Sequence, residues 1–565
     1  MPVALRCFSC AIFVAALAAA PAAAQQLQQL SQQETRVVGG RPAADPRTPE
    51  QLKKDQERAR QILEVAEGEA RALEAPMRTL SLLQVANGLA PMDRAHAAAV
   101  LRDAFTASLG IERDQQTKGS LQNQILRALL PLDAAAVAEL APQAEPNAKR
   151  SAQAGLISAA ARRKDFTRAM DMLNAAAADA GEFPYGAASD VMMALPPERA
   201  ADRLNIFMQA LAHYRQEDTR QPAFRAGDSM ATLVIRYWQV LPPATVLEAI
   251  HLVLDKAKAR SDIPAQVSVA SASGSASFNS LYEYALFQVL PALRKLDERE
   301  AEKLLKDAQP LQPVMAKYPD GMQSLDPTMR DTPPKPGERG GVSTGVRLGD
   351  RGDRAAPPDT GMQLRMQYRA EVERIVKDAA DNPRQAIARA AALPTDLGGS
   401  YPRSEALLQL AQTFSAKEPA SAKSALDDLM KQIDRVEARE RVQFLASAAS
   451  LYARLNEPDA ARKVLDRGFA TAGELYEKDK SSDSPNEALK GFWPSTAAWR
   501  IFVVLATRLA PDSVNEIITG IKDDEIRVSE RIAYAAALAG APAGDNVTMV
   551  RHGNSTSVTS FDIPQ

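Results

Sequence analysis

Histidine and cysteine, the residue types that most often catalyse reactions or bind metals, are scarce in this 565-residue chain. There are two cysteines, Cys7 and Cys10, and four histidines, His96, His213, His251 and His552. Glu248 and His251 are three residues apart, which puts both side chains on one face of a helix, and Asp255 extends that face. Di-iron bundles use such pairs, but they need a second Glu-x-x-His and two further glutamates from facing helices. The sequence contains no second pair, so we expect an ordinary helix surface here and no metal site.

A sharper chemical signal is Arg551-His552-Gly553, which has an apolar lead-in and is followed by Ser and Thr. These residues resemble the signature of the histidine phosphatase superfamily. The resemblance implies that Arg551 binds phosphate and that His552 becomes phosphorylated. The motif works in that family only at the end of the first strand of an α/β domain. Here the preceding sequence is helical, and the 12 residues after Gly553 are too few for the second His, the further Arg and the acid. We therefore expect a polar tail over 542–565, which could include one β-like stretch, and no catalysis.

Other motifs that would indicate an enzyme are missing. There is no Gly-Lys-Ser/Thr phosphate loop and no Gly-x-Gly-x-x-Gly after a strand. The Arg-Gly-Asp triplet at 351–353 lies in a charged, Gly-rich stretch and is interpreted as accidental. Trp238 and Trp499 stand at helical spacing beside Ile235 and Phe502, which favours core packing over a binding groove. The sequence predicts no catalytic, cofactor-binding or metal-binding residues.

Residues 1–24 are typical of a secretory signal peptide. Arg6 supplies the positive region, 11–17 the apolar region, and three alanines before Gln25 the small-residue cleavage pattern. Both cysteines lie in this segment, so the processed chain would have no disulfides, thiol chemistry or Cys-based zinc sites. Beyond it we find no run of eighteen apolar residues. We predict a bacterial periplasmic or secreted protein without a transmembrane segment.

Charge and composition exclude one class of partner and favour one fold class. Lys and Arg number 68 and Asp and Glu 70, for a net charge of −2, whereas nucleic-acid binding would want a basic stripe. The chain is 45% hydrophobic but only 5% aromatic, so Ala and Leu supply most of the apolar content. This composition is typical of helices. We therefore predict an all-α protein that does not bind nucleic acid.

The sequence repeats one pattern, an apolar helix, a short break with Pro or Asp, and a second amphipathic helix. Glu418-Pro419 and Glu457-Pro458 are two such breaks, 39 residues apart. A proline at the start of the second helix costs no hydrogen bond and stops the first helix from continuing. One pair cannot bury its own apolar face, so neighbouring pairs must stack. Further copies lie at 80–109, 195–204, 241–250 and 505–517.

Two of these units resemble tetratricopeptide-type helical repeats. Ala160–Leu173 is similar to that family's turn and second helix, with Asp165 and Phe166 at the turn and Ala169 as the small packing residue. Tyr452–Arg462 is alike, with Ala461 in that role. The resemblance implies an α-solenoid of antiparallel helix pairs over most of the chain.

Breaks in the pattern predict the domain organisation. Thr48, Pro49 and Gln51 form a capping box that would start the first helix. Residues 267–277 are of low complexity, and we expect a mobile loop or a small ribbon there. The predicted segments are a signal peptide (1–24), a disordered Gln/Pro/Gly-rich leader (25–48), an N-terminal helical-repeat array (49–325), a disordered Pro/Gly-rich insertion (326–361), a C-terminal helical-repeat array (362–541) and a polar tail (542–565).

Three functions remain open at this point. The first is a non-catalytic exported scaffold that binds a protein or peptide partner in the bacterial envelope, because helix pairs recur without a catalytic cluster. The second is an α/α-toroid enzyme acting on polysaccharide, since such folds also consist of paired helices, although they usually gather aromatic residues and acids in a cleft. The third is a structural envelope component tethered by its leader and insertion.

Overall fold

The computed structural model describes the helical array and short flanking strands. The described residues are 48–112, 114–179, 183–219, 230–260, 265–271, 274–326, 343–348, 360–481, 490, 493–540, 548–552 and 555–559. The chain divides into a unit that ends at Lys54 and a unit of Asp55–Gln565, which holds the array. No helix in these ranges is long and apolar enough to cross a membrane. The predicted signal peptide and nearly all of the leader lie outside the described residues.

Helices dominate the first half of the chain. They are α1 (Pro49–Ala72), α2 (Ala75–Leu89), α3 (Arg94–Leu109), α4 (Gln115–Leu129), α5 (Ala134–Leu140), α6 (Pro146–Arg162), α7 (Phe166–Asp179), α8 (Tyr185–Ala194), α9 (Ala200–Gln216), α10 (Met230–Tyr237), α11 (Pro243–Lys258), α12 (Leu281–Leu296), α13 (Glu298–Asp307), α14 (Gln312–Lys317) and α15 (Met322–Leu325).

The second half continues the same pattern. Its helices are α16 (Thr360–Asp378), α17 (Pro383–Ala391), α18 (Pro402–Phe414), α19 (Pro419–Gln432), α20 (Ala438–Arg454), α21 (Pro458–Ser481), α22 (Pro494–Leu509), α23 (Val514–Thr519) and α24 (Asp524–Leu538). Many helices begin at a proline, as the sequence predicted for Pro419 and Pro458.

Side-chain caps fix several helix starts. The predicted capping box is confirmed, because the Thr48 N–H donates to Gln51 Oε1 at 2.9 Å and the Gln51 N–H donates to Thr48 Oγ1 at 3.2 Å. Asp93 accepts the His96 N–H at 3.0 Å and so begins α3. Asp523 accepts the N–H groups of Glu525 and Ile526, as expected for an acid at a helix start.

The two units that resemble tetratricopeptide repeats share one turn geometry. Lys164 (φ 62°) and Asn456 (φ 59°) are the only residues other than glycine with positive φ in the part of the chain described. Each turn carries a hydrogen bond that spans five residues, from the Asp165 N–H to the Ala160 carbonyl (3.0 Å) and from the Glu457 N–H to that of Tyr452 (2.9 Å). This is the Schellman arrangement that ends a helix and reverses the chain.

The small residues predicted to pack in these units do so. Ala169 has no exposed surface and Ala461 is 2% exposed, so each lets its helix approach the preceding one closely. Together with the shared turn, this burial confirms that the resemblance reflects a common helix-pair geometry.

Helices that are two apart in chain order stack on each other in both halves of the array. Contacts join α2 to α4, α4 to α6 and α6 to α8, and the same step joins α18 to α20, α20 to α22 and α22 to α24. These contacts form the predicted α-solenoid. One apolar core combines residues of 59–156 with residues of 372–538, and a second core covers 157–325. The predicted division into two arrays stays a prediction, but the first core draws on both sides of residues 326–361.

The two sequence ends of the array meet. Helix α24 packs against α2. Within the array, α2 likewise packs against α4, and α22 against α24. Arg531 on α24 forms an ion pair with Glu69 on α1 at 2.7 Å, and the Arg58 guanidinium of α1 lies 5.7 Å from the centre of the Tyr534 ring. We call this contact of α1, α2 and α24 the end joint.

Short strands are the exception to the all-α prediction. Strands β1 (Ala265–Ser271) and β2 (Gly274–Phe278) form an antiparallel hairpin, which confirms the small-ribbon alternative for 267–277. A third strand, β3 (Ser343–Leu348), pairs with β1 and gives the order β2-β1-β3. No strand was expected at β3, because the Pro/Gly-rich composition around it gives no strand signal. The rest of the predicted insertion before α16 lies almost wholly outside the described residues.

Candidate functional site

The Arg551-His552 pair lies in a β-hairpin. Strand β4 (Thr548–His552) pairs antiparallel with β5 (Ser555–Thr559), and His552 is opposite Ser555. The expectation of only helical sequence before His552 is therefore wrong at β4. The sheet has these two strands and belongs to no α/β domain among the residues described, while Gly553 lies outside them. Within the described residues, the motif therefore lacks the α/β surroundings that the phosphatase resemblance requires.

Glu248 and His251 lie on one face of α11, as their spacing predicted, but they have different partners. Glu248 forms an ion pair with Arg215 of α9. His251 Nε2 lies 3.0 Å from Glu300 Oε2 of α13. These contacts tie α11 to two neighbouring helices. No group of three His, Cys, Asp or Glu side chains that could hold a metal ion occurs in the ranges described.

The remaining candidate residues either make contacts within the helical array or lie outside the described residues. His96 Nε2 is 2.8 Å from Glu67 Oε2, and the His213 ring centre lies 5.2 Å from that of Phe183. Trp238 and Trp499 are half-buried against the apolar cores, as predicted. The Arg-Gly-Asp triplet at 351–353 lies outside the described residues.

An apolar groove lies between α6 and α7, the helix pair of the first tetratricopeptide-like unit. We call it the α6–α7 groove, and it has a volume of about 470 Å³. Ile157 is buried at its floor, Met172 is half-buried, and Gln153 is its one polar lining residue. The opposite side of the groove is lined by the small side chains of the alanines at 175, 176 and 178. The groove can take an apolar side chain, with one amide to bond a backbone group.

The α6–α7 groove lies where the two apolar cores meet. Leu156 belongs to the first core and its neighbour Ile157 to the second, while Met172 packs against both. Small residues on α7 leave this boundary unfilled, so an inserted side chain would contact Ile157 of the second core and Met172, which packs against both cores. Sequence reasoning did not find this groove, although the alanine run at 175–178 after Met172 was its one visible signal.

A second groove, of about 460 Å³, lies between the end of α1, the start of α2 and α3. Arg71 crosses it and pairs with Glu67 at 2.8 Å and with Asp103 at 2.7 Å. The Arg78 Nε donates to the Leu73 carbonyl at 2.8 Å. Because these arginines are already engaged within the chain, this groove offers less free binding capacity than the α6–α7 groove.

A compact charged cluster stands at the start of α24. The Lys490 Nζ lies 2.9 Å from Asp523 Oδ2 and 3.3 Å from Glu525 Oε2, and the Tyr476 hydroxyl donates to Asp523 at 2.9 Å. The ring centre of Trp493 lies 6.1 Å from that of Tyr476. Acids beside aromatic rings are the feature that an α/α-toroid enzyme would need. The protonation states of Asp523 and Glu525 therefore bear on that alternative.

Burial and hydrogen bonding shift the two carboxyl groups in opposite directions. Burial acts to raise the pKa of Asp523, but the bonds from Lys490, the Ile526 N–H and Tyr476 outweigh it, so that this pKa lies below its ordinary value. Burial raises the pKa of Glu525, and Lys490 offsets only part of the rise. Asp523 caps α24 as well, so a structural role accounts for its contacts.

Comparison with known proteins gives no family. No protein-family model matches the sequence, and no curated protein matches it. Three of the matching solved structures illustrate the low similarity. They are Ton1535 from Thermococcus onnurineus NA1 (14% identity, covering 80% of this chain and 98% of that chain, TM-score 0.18), a circular tandem repeat protein with novel repeat topology (12%, 86% and 98%, 0.17) and the APC/C hetero-tetramer Cut9-Hcn1 (12%, 78% and 90%, 0.16). The helical-repeat architecture stated above rests on the contacts within this chain.

Proposed function

We propose that this protein is an exported, non-catalytic scaffold of the bacterial envelope that binds a peptide or protein partner in the α6–α7 groove. The observation that carries the proposal is the groove itself, which is apolar and open between two helices of a repeat. The partner would insert an apolar side chain between Met172 and the alanines of α7. The signal-like residues 1–24 support export.

The chemistry of the groove favours an extended or helical peptide with an apolar anchor. Met172 has a flexible, polarisable side chain that adapts to different shapes, and Ile157 gives a rigid apolar floor. Gln153 has an amide that can both donate and accept a hydrogen bond. Binding therefore depends on one buried anchor with a polar contact beside it, which is how energetically dominant contacts are usually arranged.

The proposal is tested by panning the purified protein against a library of random displayed peptides and measuring the Kd of the selected sequences. We expect the peptides to share an apolar residue. Ala175→Glu puts a charge into the groove and should weaken binding about tenfold or more, equivalent to ~1.4 kcal/mol. Asn174→Glu is the matched control, because Asn174 is also exposed on α7 but does not line the groove. Equal loss in both variants, or no enrichment, would contradict the proposal.

The enzyme alternative has its own test at the charged cluster. The purified protein is incubated with a panel of bacterial and plant polysaccharides, and the reducing ends released are measured. Turnover that is lost in Glu525→Gln but kept in Glu474→Gln, an exposed acid of α21, would replace the scaffold proposal with an enzyme. We expect no turnover above background for any of the three proteins.

A further inference from the structure

Glu530 is a buried acid at the centre of α24, the helix that closes the end joint. It has no exposed surface, and neither carboxyl oxygen has a hydrogen-bond partner within the described part of the chain. An unpaired polar group in the interior is costly, and an unpaired charge is costlier still. Burial raises the pKa of Glu530 to about 8, although the nearby Arg500 acts in the opposite direction. At neutral pH the side chain is therefore mostly an uncharged acid.

Among the residues that the structure describes, Arg500 of α22 is the one cation that acts on this carboxyl group. Its Nη2 donates to the Ser529 hydroxyl at 2.8 Å, and its Nε is buried without a partner among the residues described. The guanidinium is thus held beside Glu530 without forming an ion pair with it. Arg500 would therefore offset only part of the free-energy cost of burying an ionised Glu530.

Charged groups on the other elements packed against α24 have separate partners or are exposed to solvent. On α1, Glu69 pairs with Arg531, and Arg58 lies over the Tyr534 ring. On α2 the charged residue is Arg78, which donates to the Leu73 carbonyl. On α23 it is Glu516, which is exposed. None of these groups supplies a counter-charge for Glu530 in the arrangement that the structure shows.

We propose that α24 is a pH-dependent latch, in which ionisation of Glu530 releases α24 from α2 and α22 and opens the end joint. Opening of the latch exposes Glu530 to water, where the side chain loses its proton at a pH near the ordinary pKa of a glutamate. Between that value and about pH 8, each rise of one pH unit favours the open form about tenfold, and above about pH 8 the effect levels off. The latch is closed in mildly acidic surroundings and loosens in alkaline ones.

Hydrogen exchange of the full chain, read by mass spectrometry at pH 6 and pH 9, tests the latch. Wild type is compared with Glu530→Gln at each pH, so that the intrinsic pH dependence of exchange cancels. Between pH 6 and pH 9, the protection of amides in Asp524–Leu538 should fall roughly a hundredfold more in wild type than in the Gln variant. Protection in α19 should change equally in the two proteins.

Two results would overturn the latch. One is an unchanged ratio of protection in α24 between wild type and Glu530→Gln across this pH range. The other is an equal loss in α19, which would show general destabilisation and no local opening. If the Gln variant does not fold, the wild-type protein alone gives the answer, because α24 must lose protection with pH more steeply than α19 after correction for intrinsic rates.

Discussion

The helix pair α21 and α22 offers a sharp test of how tightly the repeats are packed. Gly468 of α21 lies directly against the ring of Phe502 of α22. A Cβ atom added at Gly468 would be 2.3 Å, 2.5 Å and 2.6 Å from three ring atoms, whereas ordinary contacts between such atoms begin near 3.4 Å. Phe502 has no exposed surface and also packs against Phe469, so its ring has little room to move. We predict that Gly468→Ala is destabilising.

The magnitude follows from two opposing terms. Ala in place of Gly inside a helix stabilises by up to ~1 kcal/mol through propensity. Overpacking of a filled core costs ~1–3 kcal/mol, and the contacts here are at the severe end because three ring atoms must be displaced by about 1 Å. Gly473 provides the matched control on the same helix, since its added Cβ would meet nothing within 4 Å. The propensity term is common to both variants, so their difference isolates the packing cost.

Urea unfolding of the two variants and the wild type measures this difference through the tryptophans, one of which, Trp499, packs on the same helix pair. We expect Gly473→Ala to unfold at higher urea than wild type and Gly468→Ala at lower urea, separated by about 1–3 kcal/mol. Adding Phe502→Leu to Gly468→Ala should restore part of the loss, because the smaller side chain makes room. Equal stability of the two alanine variants would refute the packing argument.

Four further outcomes are expected. Asp93→Ala should lower the free energy of unfolding by about 1 kcal/mol in calorimetry, since it removes the cap of α3. Asp523→Asn should be most destabilising at neutral pH. The low pKa of Asp523 means that its stabilisation is present above the ordinary pKa of an aspartate and is lost as the pH falls through its folded value, so melting curves of wild type and variant should converge in acid. His552→Ala should leave the melting temperature unchanged, and a loss of phosphatase activity in this variant would contradict our interpretation of the motif. N-terminal sequencing after expression in a bacterium should begin at Gln25, and an intact start would argue against export by cleavage.

Local features of the helix pairs could be predicted because they depend on neighbouring residues. The capping box at Thr48 and Gln51 and the cap at Asp523 follow from side chains that bond their own helix starts. The turns at Lys164 and Asn456 have the same geometry. Both sequences contain an apolar helix, a short break and a second helix with a buried Ala. The hairpin of β4 and β5 shows the limit, since a short polar tail has little core to select its structure.

The candidate site could not be predicted in the same way, because it depends on packing between elements. The α6–α7 groove arises where two apolar cores meet and small side chains leave space, and a run of alanines alone predicts only a good helix. Glu530 stands between Ser529 and Arg531 in a stretch that reads as an exposed helix surface, yet it is wholly buried. Burial depends on α22 being seated against α24, which no local pattern reveals.

Taken by itself, the sequence determined that this chain is helical, that its helices come in pairs and where many of them begin, because hydrophobic spacing, prolines and caps act over a few residues. Only the tertiary structure decided that α24 meets α1 and α2. The Arg531–Glu69 ion pair joins residues separated by 462 positions. Contacts over such distances depend on how all the intervening helix pairs stack, which the residues of a single pair do not determine.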